Sequence, residues 1–288
     1  MNSKQENGEE RAKKTMEKMK NPKMRNLMNE FVSEFDVKIP PEYELLFLKS
    51  WESFTKKLGP FNEIKSRSSY NQPELFFNQI NDQVHEKFCA VNYHLTNAKY
   101  LQKLVDEYTN RVLGVAEEIG INWPITVGIT LKKLHFEYEA FILQCRACLD
   151  HFVVSISYYF GFYTMKIEAL KRKLEELSLR DKKAQKILNL MGKNRKFYDI
   201  IKSKTKAHPS NLSDRDKIAH YGKVLLRPLN IMVNPVSGTR ILPLARHQKE
   251  GEMYGDSFSL PSLIEFMESV MRDLFNFISE IYEVIFTD

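Results

Sequence analysis

The strongest constraint on the fold of this chain is a long run of apolar residues at helical spacing. Between residues 74 and 119 this stripe comprises Phe88, Val91, Leu95, Ala98, Leu101 and Val105. Apolar residues three and four positions apart form one face of an α-helix, which must be covered by other elements. Only 11 glycines and 11 prolines occur among the 288 residues, too few for long linkers or a turn-rich β fold. The sequence therefore predicts an all-α protein.

Other segments complete this all-α prediction. We expect a second long helix from about residue 122 to 162 and a last helix from 263 to 286, and a loop over 61–74. The segment 229–244 is different, because short β-type runs flank Asn234-Pro235-Val236-Ser237-Gly238, and this pattern predicts a β-hairpin. The expected architecture is an up-and-down bundle of long antiparallel helices with this hairpin inserted.

Positive charge is concentrated in two segments of a chain whose formal net charge is +6. Residues 1–26 hold eight Lys/Arg and four Asp/Glu, and residues 166–206 hold fourteen and five. Such clustering is expected of a nucleic-acid binder. The candidate nucleic-acid contacts are Lys171, Arg172, Lys182, Lys183, Lys186, Lys193 and Arg195. The alternative is that these side chains only solvate exposed helix faces.

The same patterns divide the chain into three regions. Residues 1–26 are expected to be a basic flexible arm, residues 27–120 an N-terminal helical region, and residues 121–288 the bundle with the hairpin. The polar N-terminus shows no secretory signal, and no run of about eighteen apolar residues predicts a membrane span. We expect a cytoplasmic protein without a membrane partner.

The cysteines do not indicate a disulfide framework, since there are only three. Cys145 and Cys148 lie one turn apart on an apolar helix, which favours core packing over the alternative of a metal or redox site. The sequence has no glycine-rich phosphate loop, nucleophile elbow or zinc-protease pair. No cofactor and no metal are therefore expected.

The segment from Ser213 to Tyr221 carries the best candidate for chemistry. Ser213 and Asp216 have the spacing of a helix-capping box, so Arg215 and His220 would lie near each other at a helix N-terminus. Backbone N–H groups at such a terminus favour a phosphate, the arginine would stabilise its charge, and the histidine titrates near neutrality. Asp216 would orient a side chain or cap the helix, and Tyr221 would position substrate. The alternative is structural, with Arg215 paired to a neighbouring aspartate and His220 facing the core.

The pattern Arg-polar-x-x-x-His at the start of a helix resembles the signature of the HEPN superfamily, small all-α proteins that include many metal-independent ribonucleases. The segment Cys145–Phe152, with Arg146, Asp150 and His151 in an R-x-x-L-D-H pattern, resembles a helix common in HEPN-like families. Arg146 and Asp150 are one turn apart, so the residues alone favour a structural ion pair between them that orients the fold. The resemblance implies that Arg215 and His220 are catalytic and that Arg146, Asp150 and His151 support the same cleft. It also implies a homodimer with two facing motifs, cleavage to a 2′,3′-cyclic phosphate, a toxin or phage-defence context, and an antitoxin or regulatory partner.

Three functions follow from these patterns. The leading one is a HEPN-like endoribonuclease that cleaves RNA through a composite Arg/His site without a metal. The alternative is a non-catalytic HEPN-like module that binds RNA or a protein partner, and a third is an oligomeric scaffold. Strongly salt-dependent RNA binding would separate the first two from the third.

Overall fold

The computed structural model of the chain describes residues 39–67, 73–118, 125–127, 132–193, 195, 197, 231–234, 239–241 and 260–287. Most of these residues are helical, which confirms the all-α class. The helices are α1 Pro41–Thr55, α2 Pro60–Arg67, α3 Pro73–Asn78, the π-helical segment Gln79–Val84, α4 His85–Glu118, α5 Lys132–Tyr159, α6 Ile167–Ser178, α7 Lys182–Gly192 and α8 Leu260–Phe286. The strands are β1 Ile125–Val127, β2 Ile231–Asn234 and β3 Thr239–Ile241.

Helices α4 and α5 form an antiparallel pair at the centre of the molecule. His94 on α4 contacts Glu137 on α5, and Cys148, further along α5, reaches back to the carbonyl of Val84 just before α4. Both helices, α8 and the shorter N-terminal helices contribute to one hydrophobic core. Described residues on both sides of position 120 contribute to this core.

The segment 61–74, which was predicted to be a loop, contains helix. Helix α1 ends at Thr55, and the chain turns through Lys57 and Gly59, both with positive φ, before α2 begins at Pro60. Proline is well suited to the first turn of a helix, where its missing N–H has no intrahelical acceptor. The loop prediction for residues 61–67 was therefore wrong, because Pro60 begins a new helix five residues after α1 has ended.

The second long helix begins later than predicted. Instead of continuing a helix from residue 122, Ile125–Val127 forms strand β1, and α5 starts at Lys132. Strand β1 pairs antiparallel with β2, with Ile125 opposite Val233, and β2 pairs antiparallel with β3. The partner of β1 is about a hundred residues away in sequence, so the local pattern around residue 125 could not reveal this pairing.

Helix α5 is a core helix with an unusually apolar sequence. By length and hydropathy alone, Lys133–Tyr159 could cross a membrane, in contrast to the expectation from the sequence, but 61% of its most apolar window is buried within the molecule. Cys145 and Cys148 lie on its buried face and are inaccessible to solvent, which confirms their predicted core packing. Burial raises the pKa of both thiols, that of Cys148 to about 12.

The end of α8 packs into the same core. Tyr282 and Ile285 are inaccessible to solvent, and the Tyr282 hydroxyl lies 2.7 Å from Oγ of Ser155 on α5. In the sequence the last turn of this helix, Tyr282 to Phe286, is apolar on several sides. The side chains of Tyr282 and Ile285 face the core.

Candidate functional site

The motif residues Arg215, Asp216, His220 and Tyr221 lie outside the described residues. Their predicted roles therefore stay predictions. The site that the described residues build involves the basic helices α6 and α7 and the end of α8, and it contains most of the predicted nucleic-acid contacts.

Helix α7 presents Lys182 and Lys186 outward because its opposite face is apolar and buried. Ala184, Ile187 and Met191 pack into the core at helical spacing. The helix begins at Asp181, whose Oδ1 accepts the backbone N–H groups of Lys183 at 2.8 Å and Ala184 at 3.1 Å. This N-cap satisfies two of the free donors at the helix start and fixes where the lysines begin.

An open groove of about 610 Å³ lies between α7 and the C-terminal end of α8. We refer to it as the α7–α8 groove. Its lining consists of Lys182, Lys183, Lys186, Leu190, Lys193, Glu280, Glu283, Val284 and Thr287. Four of these side chains are lysines and two are glutamates, so the groove has a net positive charge.

Three of the predicted nucleic-acid contacts are instead engaged with carboxylates of the protein. Lys183 Nζ lies 2.8 Å from Oε1 of Glu63 and donates to the carbonyl of Ile285 at 3.1 Å. Lys193 Nζ lies 3.3 Å from Oε2 of Glu280.

Arg195 is buried, and its guanidinium lies 2.7 Å from Glu280, 3.6 Å from Asp273 and over the ring of Phe277. A buried arginine held by two carboxylates and a ring is occupied in stabilising the fold. Lys183 is also mostly buried, whereas Lys193 remains largely exposed beside the groove.

Lys182 and Lys186 differ from these three residues. Both are exposed on the rim of the groove, and no carboxylate in the described part of the chain pairs with either of them. They are four residues apart, so their side chains leave the same face of α7 with a separation of ~6 Å along the helix axis. Arg172 on α6 is also exposed, whereas Lys171 is half-buried.

Beside the groove, a polar network joins α2, α5 and α7 and, through the bond from Lys183 to the Ile285 carbonyl, α8. Arg67 donates to Asp181 Oδ2 and, at 3.3 Å each, to Glu63 Oε2 and the Tyr159 hydroxyl. The Tyr159 hydroxyl itself donates to Glu63, which also accepts from Lys183. Few donors and acceptors in this network remain free for a ligand, so its chemistry is structural.

Electrostatics within the network follow from these contacts. Burial alone would raise the pKa of Glu63, but hydrogen bonds from Lys183 and Tyr159, together with the charges of Lys183 and Arg67, lower it overall. Burial alone would also raise the pKa of Asp181. Hydrogen bonds from Arg67 and from the helix N–H groups outweigh this effect, so the pKa of Asp181 is lowered. Burial and the adjacent Glu63 raise the pKa of Tyr159, which therefore stays a neutral donor.

The predicted supporting residues on α5 do not converge on one point. Arg146 and Asp150 form a bidentate pair, with Nε to Oδ2 at 3.0 Å and Nη2 to Oδ1 at 2.8 Å, which confirms the predicted pairing. Five residues separate Arg146 from His151, so the two side chains leave the helix about 140° apart. His151 Nδ1 instead lies 2.7 Å from the amide nitrogen of Gln79 in the π-helical segment, and burial together with the charge of Lys87 lowers the pKa of His151.

Two features of the site were missed by sequence reasoning. Glu283 lies in the groove, and Glu63 neutralises Lys183 from 120 residues away. Glu280 and Glu283 could have been identified from the sequence, since they are one turn apart in the last helix. The pairing of Glu63 with Lys183 could not, because only the packing of α2 against the core brings Glu63 to α7.

Comparisons with known proteins give no information on this site. No protein-family model, curated protein or solved structure matches this chain. In the described residues, no group of three or more His, Cys, Asp or Glu side chains is arranged to hold a metal ion. The chemistry that the described site offers is therefore that of cations arranged along a groove.

Proposed function

We propose that this chain is a HEPN-like protein that acts on RNA and binds the RNA backbone in the α7–α8 groove. The observation that carries this proposal is that Lys182 and Lys186 line the groove from one helix face without a carboxylate partner in the described residues. A lysine that is already paired must give up its partner to bind a phosphate. When a lysine without a carboxylate partner binds a phosphate, counterions are released from the RNA, and this release increases the affinity of the protein for RNA.

The charge of the groove supports an anionic ligand. Lys193 is largely exposed and adjacent to the two free lysines, although it also contacts Glu280. Arg172 on helix α6 is exposed as well. A lysine that served only to solvate the helix would give no salt-dependent RNA binding, so the two interpretations differ in a measurable way.

Cleavage is assigned in this proposal to Arg215 and His220. A neutral imidazole would take the proton of a ribose 2′-hydroxyl, and the 2′-oxygen would then attack the adjacent phosphorus. The bond from phosphorus to the 5′-oxygen would break, and an imidazolium would protonate the leaving oxygen, which gives a 2′,3′-cyclic phosphate and a 5′-hydroxyl. Arg215 would stabilise the charge on the phosphoryl oxygens, with Asp216 and Tyr221 as supporting groups.

The rest of the proposal concerns assembly and architecture. Two chains would form a homodimer, so that two His220 side chains divide the acid and base roles. The helices would form an up-and-down bundle with the hairpin 229–244 inserted. The setting would be cytoplasmic, in a toxin or phage-defence system with an antitoxin or regulatory partner.

The first experiment measures RNA binding as a function of salt. We expect the wild-type protein to bind labelled single-stranded RNA with an affinity that falls steeply between 50 and 200 mM salt, a range in which several phosphate contacts have a large effect. The double variant Lys182→Gln/Lys186→Gln should lower the slope of log K against log salt by about 1.4, or about 0.7 for each lost phosphate contact. The matched control is Lys49→Gln/Lys103→Gln, which removes the same charge from exposed positions on α1 and α4.

The second experiment measures cleavage in EDTA with the wild type, Arg215→Ala and His220→Ala. Cleavage by the wild type alone, ending in cyclic phosphate, is the expected result. RNA binding without cleavage would replace the nuclease with the non-catalytic module. If both double variants had the same salt slope, the groove would not be the surface that binds the RNA backbone.

A further inference from the structure

The two walls of the α7–α8 groove carry opposite charge. The α7 wall presents Lys182 and Lys186 to solvent, and the α8 wall presents Glu280 and Glu283. The lining also includes Leu190 and Val284, one from each helix. A uniform phosphate-binding surface would have no use for carboxylates, which repel the RNA backbone. The carboxylates therefore require a separate explanation.

The two glutamates are not equivalent. Glu280 accepts from Arg195 at 2.7 Å and from Lys193 at 3.3 Å, and these contacts lower its pKa. Its charge is thereby neutralised within the protein. Glu283 is exposed, and its carboxylate makes no hydrogen bond or ion pair within the described part of the chain. Both contacts to Glu280 reach its Oε2, whereas Glu283 has both carboxylate oxygens available to a ligand.

We infer that the groove recognises guanine in single-stranded RNA, with the Glu283 carboxylate accepting from the base; this inference rests on the proposed RNA-binding function. The Watson–Crick edge of guanine presents two adjacent donors, N1–H and N2–H, which match the two oxygens of a carboxylate. Adenine and cytosine each present one exocyclic amino group beside a ring nitrogen acceptor, and uracil presents one N–H between two carbonyl groups. Guanine is therefore the base that a free carboxylate accepts best.

The dimensions of the groove are consistent with a nucleotide. Its volume of about 610 Å³ lies within the range of ligand sites that hold small molecules. The lining includes the apolar side chains of Leu190 and Val284, which can contact the face of a base, and the exposed Lys182 and Lys186, which can contact the flanking phosphates. The Watson–Crick edge is accessible only in an unpaired strand, so the ligand must be single-stranded.

The test uses binding of the full-length protein to labelled 2′-O-methyl oligonucleotides, which lack the nucleophilic hydroxyl and stay intact. The probes are oligouridylates with one central guanosine, inosine, adenosine or uridine. Inosine is the sharpest comparison because it keeps N1–H and lacks only the N2 amino group. The variants are Glu283→Gln and, as a matched control, Glu175→Gln, which changes an exposed glutamate on α6 outside the groove.

We expect the wild type and Glu175→Gln to bind the guanosine probe about five- to tenfold more tightly than the inosine probe, the lower end for a bidentate base contact. Glu283→Gln should reduce this ratio to about one while the salt slope persists. Equal binding of guanosine and inosine by the wild type, or a preference that survives in Glu283→Gln, overturns the inference and leaves the RNA-binding function intact. Absence of salt-dependent binding to every probe overturns the proposed function itself.

Discussion

Asp181 connects Arg67, 114 residues earlier in the chain, to the start of helix α7 through a single carboxylate. Oδ2 accepts from the Arg67 guanidinium, while Oδ1 caps the helix by accepting from the N–H of Lys183 at 2.8 Å. The helix that carries the candidate RNA contacts is therefore fixed to α2. The position of the groove depends on this network as well as on apolar packing.

Removing the Asp181 carboxylate should destabilise the protein. We expect Asp181→Ala to lower the free energy of unfolding by about 2–4 kcal/mol, because it removes a helix cap and leaves the mostly buried Arg67 without one of its carboxylates. Asp181→Asn keeps a capping oxygen and should lose less, about 1–2 kcal/mol. Urea denaturation measures both values.

The control for this pair is Glu176→Gln, which breaks an exposed ion pair with Lys173 on α6. Exposed pairs contribute little, so the change should stay within about 1 kcal/mol. If Asp181→Ala were no more destabilising than this control, the network would not be what holds α7 in place.

The stability of the network should depend on pH in the acidic range. The pKa values of Glu63 and Asp181 are lower in the folded protein than their ordinary values of 4.5 and 3.8, so the unfolded chain takes up these protons first. Their contribution to stability is complete above the ordinary values and is lost as the pH falls through the lower folded values. Urea denaturation between pH 7 and 3 should show this loss, and Glu63→Gln/Asp181→Asn should show a shallower dependence.

The buried hydrogen bond between Ser155 and Tyr282 gives a non-additive prediction. Ser155 Oγ donates to the Phe152 carbonyl at 2.7 Å, so the Tyr282 hydroxyl, also 2.7 Å away, must act as the donor to Oγ. Tyr282→Phe leaves a buried acceptor without that donor, and Ser155→Ala leaves the tyrosine hydroxyl without its acceptor. Each should cost about 1–3 kcal/mol.

The double variant Ser155→Ala/Tyr282→Phe removes both partners and should lose less than the sum of the single variants, with a coupling of at least about 0.5 kcal/mol. Thermal or urea denaturation of the four proteins measures the coupling. Strict additivity would contradict a hydrogen bond between these side chains.

The cysteines should differ in reactivity. Cys145 and Cys148 are fully buried with raised thiol pKa values, while Cys89 is half-buried. In native protein treated with iodoacetamide, mass spectrometry should find Cys89 alkylated first and Cys145 and Cys148 unmodified. In urea all three should react at similar rates, and rapid native modification of Cys145 would contradict its place in the core.

Helix α4 illustrates what local sequence predicts well. Phe88, Val91 and Leu95 keep the spacing of one helix face, and all three are buried in the structure. Helix α7 ends at Gly192, and glycine is a weak helix former whatever its surroundings. Periodicity is a property of neighbouring residues, so it can be read without knowledge of the fold.

Lys182 and Lys183 show that residue spacing does not predict the partner of a side chain. The two residues are adjacent and identical, and the sequence predicted the same role for both. In the structure Lys183 is held by Glu63 while Lys182 stays exposed, because successive residues on a helix point about 100° apart and only one direction faces α2.

Residue type and spacing along the chain were sufficient to predict the helical class, the buried stripes and the location of the basic segment. Packing of the helices determines which cations are neutralised, where the groove opens and which glutamates line it. Coulomb and hydrogen-bond interactions act over a few ångströms in space. Glu63 and Lys183, 120 positions apart, become partners only when packing of the apolar faces brings α2 and α7 together.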